Sequence, residues 1–170
     1  MKRKLHMTPC FGLDDCSSTF RGIMYEGGGK SVWPEKMEDI LAQSFSDFGR
    51  VQIKECKFYN VGSLLSFLFT LSNGKVAPYA GESGRHKTSG TISISPNTIR
   101  KILIQASSNW VNHIKFCDAK GDLLCEMKAQ SGVGTWNEIP LEEGETIVGF
   151  QEWHDYQGYI RRLGFVTLKP

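Results

Sequence analysis

The stretch Val111-Asn112-His113-Ile114-Lys115-Phe116-Cys117-Asp118-Ala119-Lys120-Gly121 decides the fold, because its pattern recurs along the chain. Val111, Ile114, Phe116 and Gly121 answer to Leu64, Phe67, Phe69 and Gly74, which stand 47 positions earlier. Ile92 and Ile94 match Ile139 and Leu141 at the same offset, and Ile99 and Ile102 match Ile147 and Phe150 at 48. A partial third copy places Ile160, Leu163 and Phe165 49 positions after Val111, Ile114 and Phe116. Each copy reads as strand, short loop, strand, Gly-containing turn, strand, loop, strand. Ser72-Asn73-Gly74 and Lys120-Gly121 are the turns, since glycine supplies the positive φ that tight hairpins need. Such units suit Greek-key sheets packed around a pseudo-threefold axis, and a β-trefoil is the competing all-β architecture.

One sheet cannot bury its apolar face alone, so three must combine. The third copy stops half-way and leaves an edge with unpaired N–H and C=O groups. The Gly-rich segment near residues 23–33 is the expected filler. Residues 1–22 lack sustained periodicity and read as an N-terminal extension ahead of a domain at 23–170. In the segment 34–48, Met37, Ile40, Leu41 and Phe45 are spaced like a helical face, although Asp39 and Asp47 dilute it and a loop fits equally. If Leu64, Phe67 and Phe69 point inward, Leu65 and Leu68 lie on an outer face that another segment or a partner must cover.

Composition narrows the function classes. The 170 residues suffice for one ordinary domain, and 40% hydrophobic with 22% charged residues is a soluble globular balance. Twenty Lys and Arg against eighteen Asp and Glu give +2, too little to predict nucleic-acid or anionic-membrane binding. No run nears the roughly 18 apolar residues of a spanning helix. Lys2, Arg3 and Lys4 precede no apolar run, so a secretory signal is not expected and an intracellular, cytoplasmic location is. The basic, acid-poor start leaves a mitochondrial presequence or nuclear address open, with a solvated tail the simpler reading. Five cysteines (10, 16, 56, 117 and 125) without a C-x-x-C pair suggest reduced thiols rather than a metal site.

A Gly-rich opening, the strand repeat and a closing stretch, in that order, resemble a jacalin-related lectin domain. Gly27-Gly28-Gly29-Lys30-Ser31-Val32-Trp33 is similar to the family's Gly-rich opening, closest in flavour to zymogen-granule members. Thr146-Ile147-Val148-Gly149-Phe150, then Gly158-Tyr159 and Leu163-Gly164-Phe165, resemble its closing stretch. The resemblance implies an all-β fold, a β-prism of three four-stranded Greek-key sheets. It also implies a sugar site built from the Gly-rich opening and a G-x-x-x-D loop before the last strand. Gly27, Gly28, Gly29, Gly158, Tyr159, Ile160, Arg161 and Arg162 are the residues so placed. Arg162 stands at the carboxylate position and carries no acceptor.

Trp153 and Tyr156, flanking His154-Asp155, could stack on a sugar face beside that loop. His113 reads as a strand residue without chemistry. The basic loop at 81–89 lacks the arrangement of a phosphate loop. No nucleophile–base or paired-carboxylate constellation assembles, so no enzyme activity and no cofactor are expected. The leading expectation is a non-catalytic carbohydrate-binding module, its site altered toward acidic glycans. The alternative is an intracellular protein–protein interaction or structural subunit on a lectin-derived scaffold; a homo-oligomer is compatible with either.

Overall fold

A computed structural model describes residues 4–14, 20–25, 28–32, 51–77, 80–81, 90–94 and 99–170. The segment 34–48, read as a helical face or loop, lies outside them, as do Gly27, Trp33 and the loop residues 82–89. Thirteen strands run in chain order: β1 (Lys4–Met7), β2 (Phe11–Gly12), β3 (Phe20–Tyr25), β4 (Gly28–Val32), β5 (Ile53–Val61), β6 (Leu64–Leu71) and β7 (Gly90–Ser93). Then follow β8 (Lys101–Ala106), β9 (Val111–Cys117), β10 (Leu123–Lys128), β11 (Thr135–Pro140), β12 (Thr146–His154) and β13 (Ile160–Lys169). No helix among the described residues is long and apolar enough to cross a membrane.

The strands form three antiparallel sheets. The middle one has the order β10-β9-β8-β11. The first has the order β6-β5-β7, and Thr70↔Val76 and Phe67↔Ala80 bridges place a fourth segment beside β6. The pattern is therefore the same in both copies, as the 47-residue offset requires.

The third sheet repeats it with borrowed edges. Its order is β1-β13-β12-β3-β4, with β2 also on β13. The edge on β12 is filled by β3, with Ile23 facing Gly149 and Phe20 facing Glu152, and the Gly-rich β4 lies outside it, paired to β3 rather than to a repeat strand. The other edge, along β13, is filled by the first residues of the chain, with Leu5 opposite Leu168 and Phe11 opposite Leu163. Residues 4–12, read from the sequence as part of an extension, thus hydrogen-bond to the last strand. Short, mixed-pattern strands of this kind carry no periodicity of their own; the partner's open edge defines them.

Two glycines of the closing motif have a steric reason. A Cβ on Gly149 would stand 2.2 Å from the Gly22 carbonyl oxygen, and one on Gly164 would stand 2.7 Å from that of Pro9. Each lies where a borrowed segment passes too close to the repeat strand for a side chain.

The inner faces meet in a phenylalanine cluster. Phe69, Phe116 and Phe165 hold equivalent places in the three copies, and Phe116 lies 6.0 Å from Phe69 and 5.9 Å from Phe165. Phe150 sits edge-on to Phe67 at 5.8 Å. All five are buried. The inward set of β6 differs from expectation. Leu65, Phe67, Phe69 and Leu71 alternate into the core, so Leu65 is a core residue and Leu64 is only half-buried. Strict two-residue periodicity accounts for this, since one register shift exchanges the faces.

Phe116→Ala should cost about 3–5 kcal/mol in urea unfolding, because it empties a site shared by all three sheets. The loss should appear as a single cooperative transition rather than as melting of one sheet.

Candidate functional site

The three repeat hairpins turn at one end of the prism. Gly62-Ser63 joins β5 to β6, residues 107–110 join β8 to β9, and residues 155–159 join β12 to β13. Their contacts prove the shared end. Asn112 Nδ2 donates to the Ser63 carbonyl at 2.9 Å, Arg161 Nε donates to the Asn109 carbonyl at 3.1 Å, and Tyr59 stacks on Tyr159 at 6.4 Å.

The 155–159 turn is closed by its own aspartate. Asp155 Oδ1 accepts from the backbone N–H of Gln157 at 3.0 Å and of Tyr159 at 3.1 Å. Gly158 donates back to the Asp155 carbonyl, with φ at +87°. Tyr156 projects from this turn and is 84% exposed. Ile160 is wholly buried and packs in the main core, so it anchors the turn rather than meeting a ligand. Tyr159 stacks on Tyr59, and burial pushes its phenol pKa up, with Tyr59 adding to the rise.

Arg161 and Arg162 differ in role. The Arg161 guanidinium lies over the Trp110 ring at 4.3 Å and near the Trp153 ring at 5.8 Å. Arg162 donates from Nη1 to the Leu13 carbonyl at 2.8 Å and has the Asp14 carboxylate at 4.0 Å. It therefore pins the N-terminal segment to the start of β13, a use that the sequence did not reveal.

Beneath the turn lies a buried acid. Glu152 is fully buried and accepts from His154 Nδ1 at 2.9 and 3.1 Å. Burial raises its pKa, while His154 and a backbone N–H of Gly81 pull the other way. Gly81 itself leaves no room for a side chain, since a Cβ there would meet the Gly158 carbonyl oxygen at 2.5 Å.

The two halves of the expected site are not brought together. Gly28 and Gly29 pair with Tyr25 and Met24, at the end of β3 remote from Phe20 and Glu152. Gly28 lies beside Lys75 and Val76, near the opposite end of the prism. From Gly149, already short of that end, to Asp155 is six residues (155 − 149), or about 20 Å of strand. Trp153, Tyr156, Gly158, Tyr159, Arg161 and Arg162 do gather at the turn. Sequence reasoning missed Trp110, although the repeat offset of 49 sets it in register with Tyr159.

Elsewhere, His113 lies in β9 with Nε2 2.9 Å from Glu126 and its ring 4.9 Å from Trp136, and burial lowers its pKa. Cys56, Cys117 and Cys125 are buried, and no cluster of metal-binding side chains occurs among the described residues.

No family model and no curated relative matches the sequence. Solved structures do resemble the fold. A mannose-binding lectin from champedak aligns with a TM-score of 0.58 at 14% identity, covering 98% of this chain and 99% of that one. Artocarpin in complex with methyl-α-mannose gives 0.58 at 13%, with 98% and 99% covered. Malaysian banana lectin gives 0.59 at 14%, with 97% and 99% covered. The chain has the β-prism fold of these jacalin-related lectins.

The raised pKa of Glu152 makes a signed prediction. The folded state holds the proton to higher pH than the unfolded chain, so this contribution is complete below the ordinary carboxylate range. It is lost as pH rises through the raised value. Thermal midpoints of wild type should therefore fall relative to those of Glu152→Gln as pH rises through that window. Parallel curves would contradict it.

Proposed function

We propose that this chain is a non-catalytic carbohydrate-binding module that takes acidic sugars at the end of the prism bearing the 155–159 turn. The observation that carries this is Arg161 lying against Trp110 and Trp153, beside exposed Tyr156. Guanidinium N–H groups match a carboxylate or sulfate in two parallel hydrogen bonds. Among the described residues Arg161 donates through Nε to Asn109, and its paired terminal nitrogens are the groups that would meet such an anion. Aromatic faces beside the cation suit the apolar C–H face of a sugar ring. The fold neighbours support the class of ligand: one was solved with methyl-α-mannose and another is described as mannose-binding. Arg162 in place of a carboxylate argues against neutral recognition of that kind at the turn itself.

A second reading is an interaction or structural subunit whose sugar site is degenerate. Arg162 and the Asp155 oxygen are both engaged within the chain, and Gly28 and Gly29 lie at the far end.

A glycan array with neutral, uronic and sulfated sugars separates the two. The first reading predicts that wild type binds uronic or sulfated glycans and that Arg161→Gln weakens this about tenfold or more, the effect of losing a charge-assisted pair. Silence by wild type with gained binding by Arg162→Asp supports a degenerate site, and silence by both supports the protein partner.

A further inference from the structure

We propose that Cys56 and Cys125 form a disulfide site, whose bond closes while the chain folds and ties the first sheet to the middle one through the shared core. Their spacing in sequence does not pair them, for they stand 69 positions apart (125 − 56). Neither residue has a part in the carbohydrate-binding reading.

Strand register puts the two thiols in one layer of the core. Cys56 in β5 lies directly opposite Phe69, and Cys125 in β10 lies directly opposite Phe116. Residues directly opposite on paired strands project from the same face, and the two phenylalanine rings meet across the sheets at 6.0 Å. A second contact holds the strands side by side. Asn60 Nδ2 donates to the Lys128 carbonyl at 2.6 Å, four residues on from Cys56 and three on from Cys125. Farther along, the Ser131 amide donates to the Gly62 carbonyl at 2.9 Å. Cys56 is fully buried and Cys125 is 2% exposed, and both belong to the main core. The thiols hydrogen-bond to one another, and that bond together with burial pushes the Cys56 pKa well up.

Packing alone does not call for sulfur at this level. The residues equivalent to Cys56 in the other copies are Ile102, opposite Phe116, and Phe150, opposite Phe165. Closure is a thiol–disulfide exchange with a small disulfide such as oxidised glutathione. One cysteine thiolate displaces a first glutathione to give a mixed disulfide, and the second cysteine displaces the other. The pair loses two protons and two electrons, and the small disulfide leaves as two thiols. In the folded protein the sulfurs are out of reach of such an oxidant, and a thiol held protonated is a poor nucleophile. The bond therefore closes while the chain is open, and the finished core then shields it from reductants. Closing a long loop restricts the unfolded chain, which stabilises the fold.

The test refolds denatured, reduced full-length protein in a buffer of oxidised and reduced glutathione, followed by alkylation and peptide mass spectrometry. Wild type should yield a peptide linked through Cys56 and Cys125, and its thermal midpoint should exceed that of protein refolded under reductant by roughly 5–15 °C. Folded, reduced protein placed in the same buffer should form the link at least about a hundredfold more slowly, because opening must come first. Cys56→Ala and Cys125→Ala should each lose the oxidant-dependent rise in midpoint. If either variant fails to fold, the wild-type comparison still decides. No 56–125 peptide, a midpoint unchanged or lowered by the link, or equally fast closure in the folded protein overturns the proposal.

Discussion

The whole arrangement depends on one interior that belongs to no single sheet. Phe69, Phe116 and Phe165 come from three copies of one unit and touch in series, with Phe67 and Phe150 against their flanks. Each sheet alone would leave its aromatic face in water, so the copies are stable only together. A consequence follows at the edges. The third copy has just two strands of its own, β12 and β13, and both of its edges must be closed if its inner face is to stay in register. Four strands from the N-terminal part of the chain do this, β1 and β2 on one side and β3, backed by β4, on the other.

That closure also builds the end that carries the candidate site. Gly12 pairs with Arg162 and the Leu13 amide donates to the Arg161 carbonyl, so the segment that seals β13 reaches the turn region and carries Asp14 to its surface. Arg162 locks the same segment from the side-chain direction. On its other side the segment meets the β8–β9 turn, whose Trp110 lies under Arg161. The stability of the third sheet and the shape of the candidate site therefore rest on the same few residues. Glu152 and His154 are the exception: a buried acid placed beneath the turn, stabilised by its neighbours yet costly to ionise.

Much of the fold was legible because repetition leaves a signal independent of propensity. The offsets of 47 to 49 set Val111, Ile114 and Phe116 against their counterparts, and all three are wholly buried. Gly149 and Gly164 were legible as a motif, and their close backbone neighbours explain why a side chain cannot stand there. What escaped was set by tertiary context. Lys4–Met7 and Phe11–Gly12 are too short to show a period, and become strands only because β13 offers an edge. Leu65 was assigned to the wrong face because alternation was read from Leu64, one residue out of register.

The site was less legible, for a related reason. Gly28-Gly29 and Gly158 share a motif-like appearance, but the β3–β4 hairpin carries the first pair away from the turn. Trp110 was readable through its equivalence to Tyr159, whereas nothing in sequence linked Asp14 to Arg162, 148 positions later (162 − 14). The most direct test of the central claim is a set of cross-strand backbone NOEs in the intact chain. The account predicts contacts of Leu5 with Leu168 and of Ile23 with Gly149, in the same sample that shows Phe116 ring contacts to both Phe69 and Phe165. Aromatic contacts without those edge contacts, and rapid amide exchange along Ile160–Lys169, would contradict it.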